Sequence, residues 1–172
     1  MNSTNPFIYS DDNKRYHTLN YYNKSSFNSK VFKAVIDAGF TCPNKDGTKG
    51  TGGCIYCMGG SGYFTEKSDG EIYDSVKRQL AAEKERIYKK HPDSLITAYF
   101  QANTNTYAPV ATLKEAYTAA LDSKVHGISI GTRADCLPDD VIALLCDINS
   151  KTHLSVELGL QTVHDKTAQI IN

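Results

Sequence analysis

The regular alternation of strand-like and helix-like segments constrains the fold of this chain more than any other feature. β-Branched and apolar residues cluster in four short segments, at residues 31–39, 95–101, 127–133 and 153–162. Apolar residues at helical spacing follow these segments, at residues 72–90, 113–123, 141–150 and 163–172. Neighbouring parallel strands need a long crossover, which is usually a helix, so this order predicts an α/β fold with parallel strands.

Local signals predict where three of the helices start. Ser68 with Glu71 and Thr112 with Glu115 have the spacing of a capping box. Pro138 is followed by two aspartates, a combination typical of the first turn of a helix.

Four parallel strands would leave the last edge of the sheet open, a hazard that complete proteins usually cover. We therefore expect about four βα units of a partial (β/α) barrel. Residues 1–30 are polar and predict an N-terminal arm, partly helical around residues 16–22. Residues 31–172 form the predicted core, which we expect to be truncated at its C-terminus.

The composition of the chain narrows the classes of function that it could have. The chain of 172 residues has 19 Lys and Arg against 19 Asp and Glu, so its net charge gives no sign of extensive nucleic-acid binding. The N-terminus lacks the apolar core of a signal peptide, and no apolar run approaches the roughly 18 residues of a membrane span. We expect a cytoplasmic protein whose five cysteines are reduced, ligating or buried.

Residues 41–57 (TCPNKDGTKGTGGCIYC) combine three cysteines with four glycines. Cys54 and Cys57 can share one turn, whereas Cys42 must approach from the end of the first strand. The glycines allow the insert between them to fold back. Three thiolates suit an iron–sulfur cluster that keeps one iron open for a small molecule.

Other interpretations of this loop are open. A zinc site would need a fourth ligand, and the nearest histidines in sequence, His17 and His91, are at no recognised spacing. A thioredoxin-like CxxC should lead directly into a helix, but a glycine-rich stretch follows here. A phosphate loop should have Ser or Thr after its lysine, but Gly50 follows Lys49. The thiols could also be ordinary residues of a surface loop.

The loop resembles the cluster loop of radical S-adenosylmethionine (SAM) enzymes. Its long first gap resembles a subset that includes the catalytic subunit of Elongator and, most similar of all, the YhcC/YtqA-like radical SAM proteins. Three later stretches, YFQANTNTYAP, GISIGTRADCLPD and VELGLQT, resemble the same group. The resemblance extends from about residue 16 to the C-terminus, and four motifs in order are more specific than CxxC alone.

The resemblance implies that Cys42, Cys54 and Cys57 ligate a [4Fe–4S] cluster. SAM would chelate the fourth iron, and one electron would cleave it to methionine and a 5′-deoxyadenosyl radical, which abstracts hydrogen from a C–H bond. A flavodoxin or ferredoxin would supply the electron. The chain departs from the family in ending before an arginine that helps relatives to hold SAM, and in showing about four of the usual six βα units.

The resemblance also implies cofactor contacts at the strand ends, where parallel α/β folds bind ligands. Glu157 and Gln161 are expected on one face of the fourth strand, because side chains alternate with a period of two. Asn103 and Thr104 could instead form a turn, and Arg133 and Asp135 could simply pair with each other. The expected SAM-binding residues are Tyr56, Gln101, Asn103, Thr104, Arg133, Asp135, Glu157 and Gln161.

The two remaining cysteines are assigned structural roles. Cys146 follows the apolar pattern of its helix and is expected in the core. Cys136 lies near a strand end, and we also interpret it as structural. No residue is assigned a catalytic role.

The leading hypothesis is a radical SAM enzyme, or its N-terminal part, and the resemblance to Elongator suggests tRNA modification. For Gram-positive members the expected target is the wobble uridine, where a carboxymethylaminomethyl group is processed to an aminomethyl group. The alternatives are a non-catalytic module that binds zinc or a cluster, and a radical SAM enzyme that acts on a small metabolite. A basic patch for RNA contact would comprise Lys14, Arg15, Lys24, Lys30 and Lys33.

Overall fold

The computed structural model describes residues 14–57, 68–101 and 103–171. The predicted alternation of strands and helices is confirmed, and no described helix is long and apolar enough to cross a membrane. The elements in chain order are α1 (Leu19–Phe27), β1 (Val31–Ile36), α2 (Ile72–Tyr88), β2 (Leu95–Phe100), α3 (Val110–Asp122), β3 (Gly127–Thr132), α4 (Asp139–Asn149), β4 (His153–Leu158) and α5 (Asp165–Ile171).

The four strands form one parallel sheet in the order β1-β2-β3-β4. In its register Val35 lies opposite Tyr99, Tyr99 lies opposite Ser129, and Gly131 lies opposite Glu157. All four carboxyl ends therefore meet at the same edge of the sheet. The loops that carry most of the predicted site residues leave the sheet at this edge.

Helices α2, α3 and α4 pack together with one face of the sheet to form the core. Strand residues on this face, such as Ile36, Phe100 and Ile130, are buried against helix residues such as Leu80 and Leu113. Burying these side chains stabilises the fold by roughly 1.5–3 kcal/mol each. Because strand side chains alternate, the residues between them face the other side of the sheet.

The other side of the sheet, which we call the inner face, carries a row of polar side chains. Lys33 on β1, Tyr99 on β2, Ser129 on β3 and Glu157 on β4 make up this polar row. The Lys33 ammonium contacts the Glu157 carboxylate, although the sheet order separates β1 from β4 by two intervening strands. In a flat sheet that separation would be about 14 Å. The contact therefore indicates that the inner face is concave.

The N-terminal arm docks at the amino ends of the strands. Helix α1 lies within residues 14–30, and the Thr18 hydroxyl caps it by accepting a 3.0 Å hydrogen bond from the Tyr21 N–H. The ring of Phe27 meets His126 and His153 edge-on, with ring centroids 4.4 and 5.1 Å apart. The first 13 residues of the predicted arm lie outside the described residues.

Both predicted capping boxes are wrong. Glu71 and Pro109 are the N-cap residues of α2 and α3, and neither makes a side-chain capping bond. Within the Ser68–Glu71 box, Gly70 has a φ angle of +72°, which is incompatible with a helix. Helix α3 begins at Val110, ahead of the Thr112–Glu115 box, because Val110 packs against the core.

Helix α4 begins at Asp139, directly after Pro138 as predicted. The expectation that Cys146 is a core residue is wrong, because this thiol is exposed. It lies next to the buried stripe of the helix rather than in it. That stripe consists of Val141, Leu144, Leu145 and Ile148.

Replacing Ile130 with alanine tests the packing of the outer face, which is the face of the sheet that α2, α3 and α4 cover. Because this side chain is fully buried in β3, Ile130→Ala should lower the free energy of unfolding by about 2–5 kcal/mol in urea titrations. Ile142→Ala is the matched control, because Ile142 is 44% exposed on α4, and its loss should be much smaller. Equal losses for the two variants would contradict this assignment of the core.

Candidate functional site

The insert between the first two cysteines of the loop folds into a compact turn. The Cys42 carbonyl accepts a 2.8 Å hydrogen bond from the Lys45 N–H. The Gly53 N–H donates to the Asn44 carbonyl at 2.9 Å and brings the end of the insert back beside its start. Gly53 has a φ angle of +79°, a conformation that glycine adopts without steric strain.

The CIYC segment forms a turn of its own beside this insert. The Cys57 N–H donates to the Cys54 carbonyl at 2.8 Å, and the Asn44 amide nitrogen donates to Cys54 Sγ at 3.2 Å. The Ile55 N–H donates to the Ile171 carbonyl at 3.1 Å. The segment is therefore held on one side by the insert and on the other by the end of α5.

One cavity at the carboxyl ends of the strands brings together every site residue predicted from the sequence. Its volume is about 830 Å³, and it extends between the cysteine loop, the strand ends and α5. The predicted residues that line it are Cys42, Cys54, Tyr56, Cys57, Gln101, Asn103, Thr104, Arg133, Asp135, Glu157 and Gln161.

Asn103 fastens the cysteine loop to the end of β2. It has a φ angle of +59°, which asparagine tolerates better than most other residues. Its amide nitrogen donates to the Phe40 carbonyl at 2.7 Å, and its amide oxygen accepts a 2.6 Å bond from Lys45 Nζ. The buried Thr104 donates its N–H to the Thr41 carbonyl at 3.2 Å. Asn103 and Thr104 therefore do form a turn, the role that was considered for them as an alternative to binding SAM.

Arg133 and Asp135 form a two-pronged ion pair at the end of β3. The Arg133 nitrogens Nε and Nη2 donate to the two oxygens of Asp135, both at 2.8 Å, and Lys49 of the cysteine loop contacts the same carboxylate. The hydrogen bonds from Arg133 and then from Lys49 hold the pKa of Asp135 well below its usual range. Both partners stay charged at neutral pH, and they tie the loop to β3.

Tyr56 lies between two of the thiols, with half of its surface exposed. Partial burial is the largest of the effects that raise the pKa of Tyr56 to about 12. A hydrogen bond with Cys54 and the negative charges of Cys54 and Cys57 also contribute to this increase. The Arg133 charge opposes this increase. The phenol therefore stays protonated at neutral pH beside the CIYC turn.

Two residues of the polar row, Tyr99 and Glu157, also line the cavity. One Glu157 oxygen accepts from Lys33 and, at 2.8 Å, from Ser129, and the other accepts from the Tyr99 hydroxyl at 2.8 Å. Burial alone would raise the pKa of Glu157, but these three hydrogen bonds outweigh it and lower the pKa. Burial and the bond to Glu157 raise the pKa of Tyr99 to about 12.

Sequence reasoning did not predict that Tyr99 and Lys45 line this cavity. Nor did it predict that Lys33 and Ser129 contact Glu157. Lys33 had been expected in an exposed basic patch, but the structure pairs it with Glu157 on the inner face. The signal that could have found the polar row is the recurrence of polar residues at alternate positions in otherwise apolar strands.

The prediction that Gln161 shares a strand face with Glu157 is wrong. Strand β4 ends at Leu158, and Gln161 has a φ angle of +66°, which is not extended backbone. Its amide folds back over Gly159, where a side chain on the glycine would begin only 2.4 Å from Gln161 Nε2. Gln161 still lines the cavity, but from the loop beyond β4 rather than from the strand.

The three loop thiols share the cavity without converging on one point. Within residues 14–57, 68–101 and 103–171, no three His, Cys, Asp or Glu side chains are grouped so that they could hold a metal ion. The cavity wall carries three thiols, four side-chain amides and the charged groups of Lys45, Arg133, Asp135 and Glu157.

Comparison with known proteins shows no match to a family model, but similarity to several proteins of bacteria and of an archaeon. The chain is 51% identical over its whole length to the uncharacterized protein YtqA of Bacillus subtilis, covering 53% of that protein. It is 39% identical to the protein YhcC of Escherichia coli over 85% of the chain, covering 46% of that protein. The chain thus spans about half the length of the curated relatives it matches.

The Glu157 hydrogen bonds predict a pH-dependent contribution to stability. Since the folded-state pKa is lowered, the contribution is present above the unfolded value of about 4.5 and is lost as the pH falls through the folded value. We expect the unfolding free energies of wild type and Glu157→Gln to differ most at neutral pH, by up to about 1 kcal/mol for this half-exposed pair. A difference that stays constant from pH 7 to about pH 3 would contradict this.

Proposed function

We propose that this chain is a radical SAM enzyme or a part of one, and that its sheet belongs to a partial (β/α) barrel. One observation carries the proposal. Eleven residues chosen from four separate motifs line a single cavity at the carboxyl ends of parallel strands. The concave inner face, bridged by Lys33 and Glu157, supports the barrel part of the proposal.

The donor set of the cavity fits a [4Fe–4S] cluster held by Cys42, Cys54 and Cys57. A single zinc ion needs ligands within about 2.0–2.3 Å of one point, whereas the cysteines of a cluster bind separate iron atoms and surround a volume. The three thiols line one cavity, and thiolates are the ligands that such clusters use. Such a cluster, once bound, would supply the electron for cleavage of SAM to methionine and a 5′-deoxyadenosyl radical, and a flavodoxin or ferredoxin would donate that electron.

The residues of this chain keep the loop and the cofactor contacts in position. Asn103 locks the cysteine loop to β2 through the Phe40 carbonyl and holds Lys45 against the cavity wall. The Arg133–Asp135 pair anchors the cysteine loop to β3, because Asp135 also contacts Lys49 of the loop. Because these anchors connect the loop to two neighbouring strands, they fix the thiols relative to the strand ends that would receive SAM.

The cysteine variants test the cluster. Anaerobic reconstitution with iron and sulfide should load wild type with about four iron atoms per chain, and Cys42→Ala, Cys54→Ala and Cys57→Ala should each lose most of this iron. Cys146→Ala is the matched control, because this exposed thiol on α4 does not line the cavity, and it should load like wild type. Full loading of the three loop variants, or retention of zinc instead of iron, would contradict the proposal.

We further propose tRNA as the substrate, with the wobble uridine as the target and conversion of its carboxymethylaminomethyl group to an aminomethyl group as the reaction. This step rests on the resemblance to Elongator-like enzymes. The remaining residues of the expected basic patch are exposed in and around α1, as RNA contact would require. They are Lys14, Arg15, Lys24 and Lys30.

Nucleoside analysis of bulk tRNA tests this substrate. Cells that lack the gene should accumulate the carboxymethylaminomethyl form of the wobble uridine and lose the aminomethyl form, and the wild-type gene should reverse both changes. Identical uridine modifications with and without the gene would exclude the tRNA reaction. A change in a metabolite pool with unaltered tRNA would favour a small-molecule substrate instead.

A further inference from the structure

Two side chains of the cysteine loop form hydrogen bonds with the thiol of Cys54. The Asn44 amide nitrogen Nδ2 donates to Cys54 Sγ at 3.2 Å, and the Tyr56 hydroxyl bonds to the same thiol. Both side chains also line the cavity. A thiolate that ligates iron carries no proton and can only accept hydrogen bonds, whereas an amide N–H and a phenol O–H can donate them. Both bonds are therefore compatible with Cys54 as a ligand of iron.

Asn44 is held in place by its burial and by its backbone. Only 6% of its surface is exposed. Its carbonyl accepts the 2.9 Å bond from the Gly53 N–H, so the residue that precedes Cys54 is held against the same asparagine. Water has little access to the buried amide, and a hydrogen bond in such a place is electrostatically stronger than the same bond in water. Asn44 thus connects the start of the insert to Cys54 through both its side chain and its backbone.

We propose that Asn44 is a positioning residue for the cluster, and that its amide makes the cluster easier to reduce by donating a hydrogen bond to the Cys54 thiolate. Asn44 is not among the expected ligands of iron or SAM, and it acts only through Cys54. The inference rests on the proposed function, because it concerns the [4Fe–4S] cluster of that proposal.

The direction of the effect follows from charge. Reduction by one electron adds one negative charge, which the cluster shares with its sulfur ligands. A hydrogen bond to a more negative acceptor is stronger, so the Asn44 N–H stabilises the reduced state more than the oxidised state. Hydrogen bonds to the sulfurs are among the factors that set the reduction potential of such clusters. Asn44 therefore raises the potential, and this favours transfer of the electron from a flavodoxin or ferredoxin.

A purely structural role for Asn44 makes a different prediction. An amide that only held the loop in shape would affect how much iron the chain binds. It would leave unchanged the potential of the clusters that do form, because no donor would act on their sulfur. The reduction potential therefore distinguishes the two roles, and the iron content alone does not.

The test is a redox titration of the whole chain, reconstituted with iron and sulfide and followed by electron paramagnetic resonance without SAM. Asn44→Leu keeps the approximate shape of the side chain but removes the donor. We expect the equilibrium constant for one-electron reduction to fall by about tenfold, which lowers the midpoint potential by about 59 mV. Asn44→Asp should lower it at least as far, because a carboxylate adds a negative charge. Tyr56→Phe, which lacks only the hydroxyl, should lower it in the same direction.

Asn105→Leu is the matched control for the loss of a buried amide. Asn105 is fully buried at the same edge of the sheet. Its amide nitrogen donates to the Gly131 carbonyl at 2.9 Å, and the residue does not line the cavity. Because this amide donates to a carbonyl and not to a thiol, Asn105→Leu should keep the wild-type potential.

A wild-type potential in loaded Asn44→Leu and Asn44→Asp would overturn the inference, and so would an equal shift in Asn105→Leu. If Asn44→Leu takes up no iron, Asn44→Asp decides. Loss of iron from both variants would assign Asn44 a structural role and would also overturn the inference. Iron content is measured in the same samples, so a wild type without iron contradicts the proposed function itself. A normal cluster whose potential does not depend on Asn44 contradicts only the role given to this residue.

Discussion

The contact between Lys33 and Glu157 joins the two edge strands of the sheet across its inner face, and the candidate site depends on the curvature that this contact reflects. Helices α2, α3 and α4 cover only the outer face, so the inner face is free of the core and can carry charged and hydroxyl groups. Tyr99 and Ser129, on the two central strands, complete the hydrogen bonding of the Glu157 carboxylate. A flat sheet would keep these groups apart, whereas the concave sheet brings them together, and Tyr99 and Glu157 line the cavity.

The cysteine loop closes this cavity from above, and its position follows from contacts with the strand ends. Asn103 reaches the Phe40 carbonyl and Lys45, and Asp135 binds Lys49, so β2 and β3 each hold one part of the loop. The three thiols are therefore presented by a loop that is fastened at several points. The rim of the cavity, where the loop meets the strand ends, offers thiols and amides, and the Tyr99 and Glu157 side chains of the polar row also line the cavity.

Local patterns in the sequence predicted much of this arrangement. The alternation of strand-like and helix-like segments was sufficient to predict parallel strands, and the position of residues after each strand was sufficient to predict that they would share an edge. The capping boxes failed because Gly70 and the packing of Val110 override the local signal. The prediction for Cys146 failed because this residue lies at the edge of the buried stripe of its helix, next to Leu145. The roles of Lys33 and Lys45 depend on partners more than 50 positions away, which no local pattern reveals.

Electron paramagnetic resonance tests the central claim, that the cavity holds a cluster with an open iron, most directly. The protein would be reconstituted anaerobically with iron and sulfide, reduced, and measured with and without SAM. We expect a [4Fe–4S]⁺ signal whose shape changes when SAM is added, because SAM would bind the iron that no cysteine ligates. No cluster signal, or a cluster signal that SAM leaves unchanged, would contradict the proposed function.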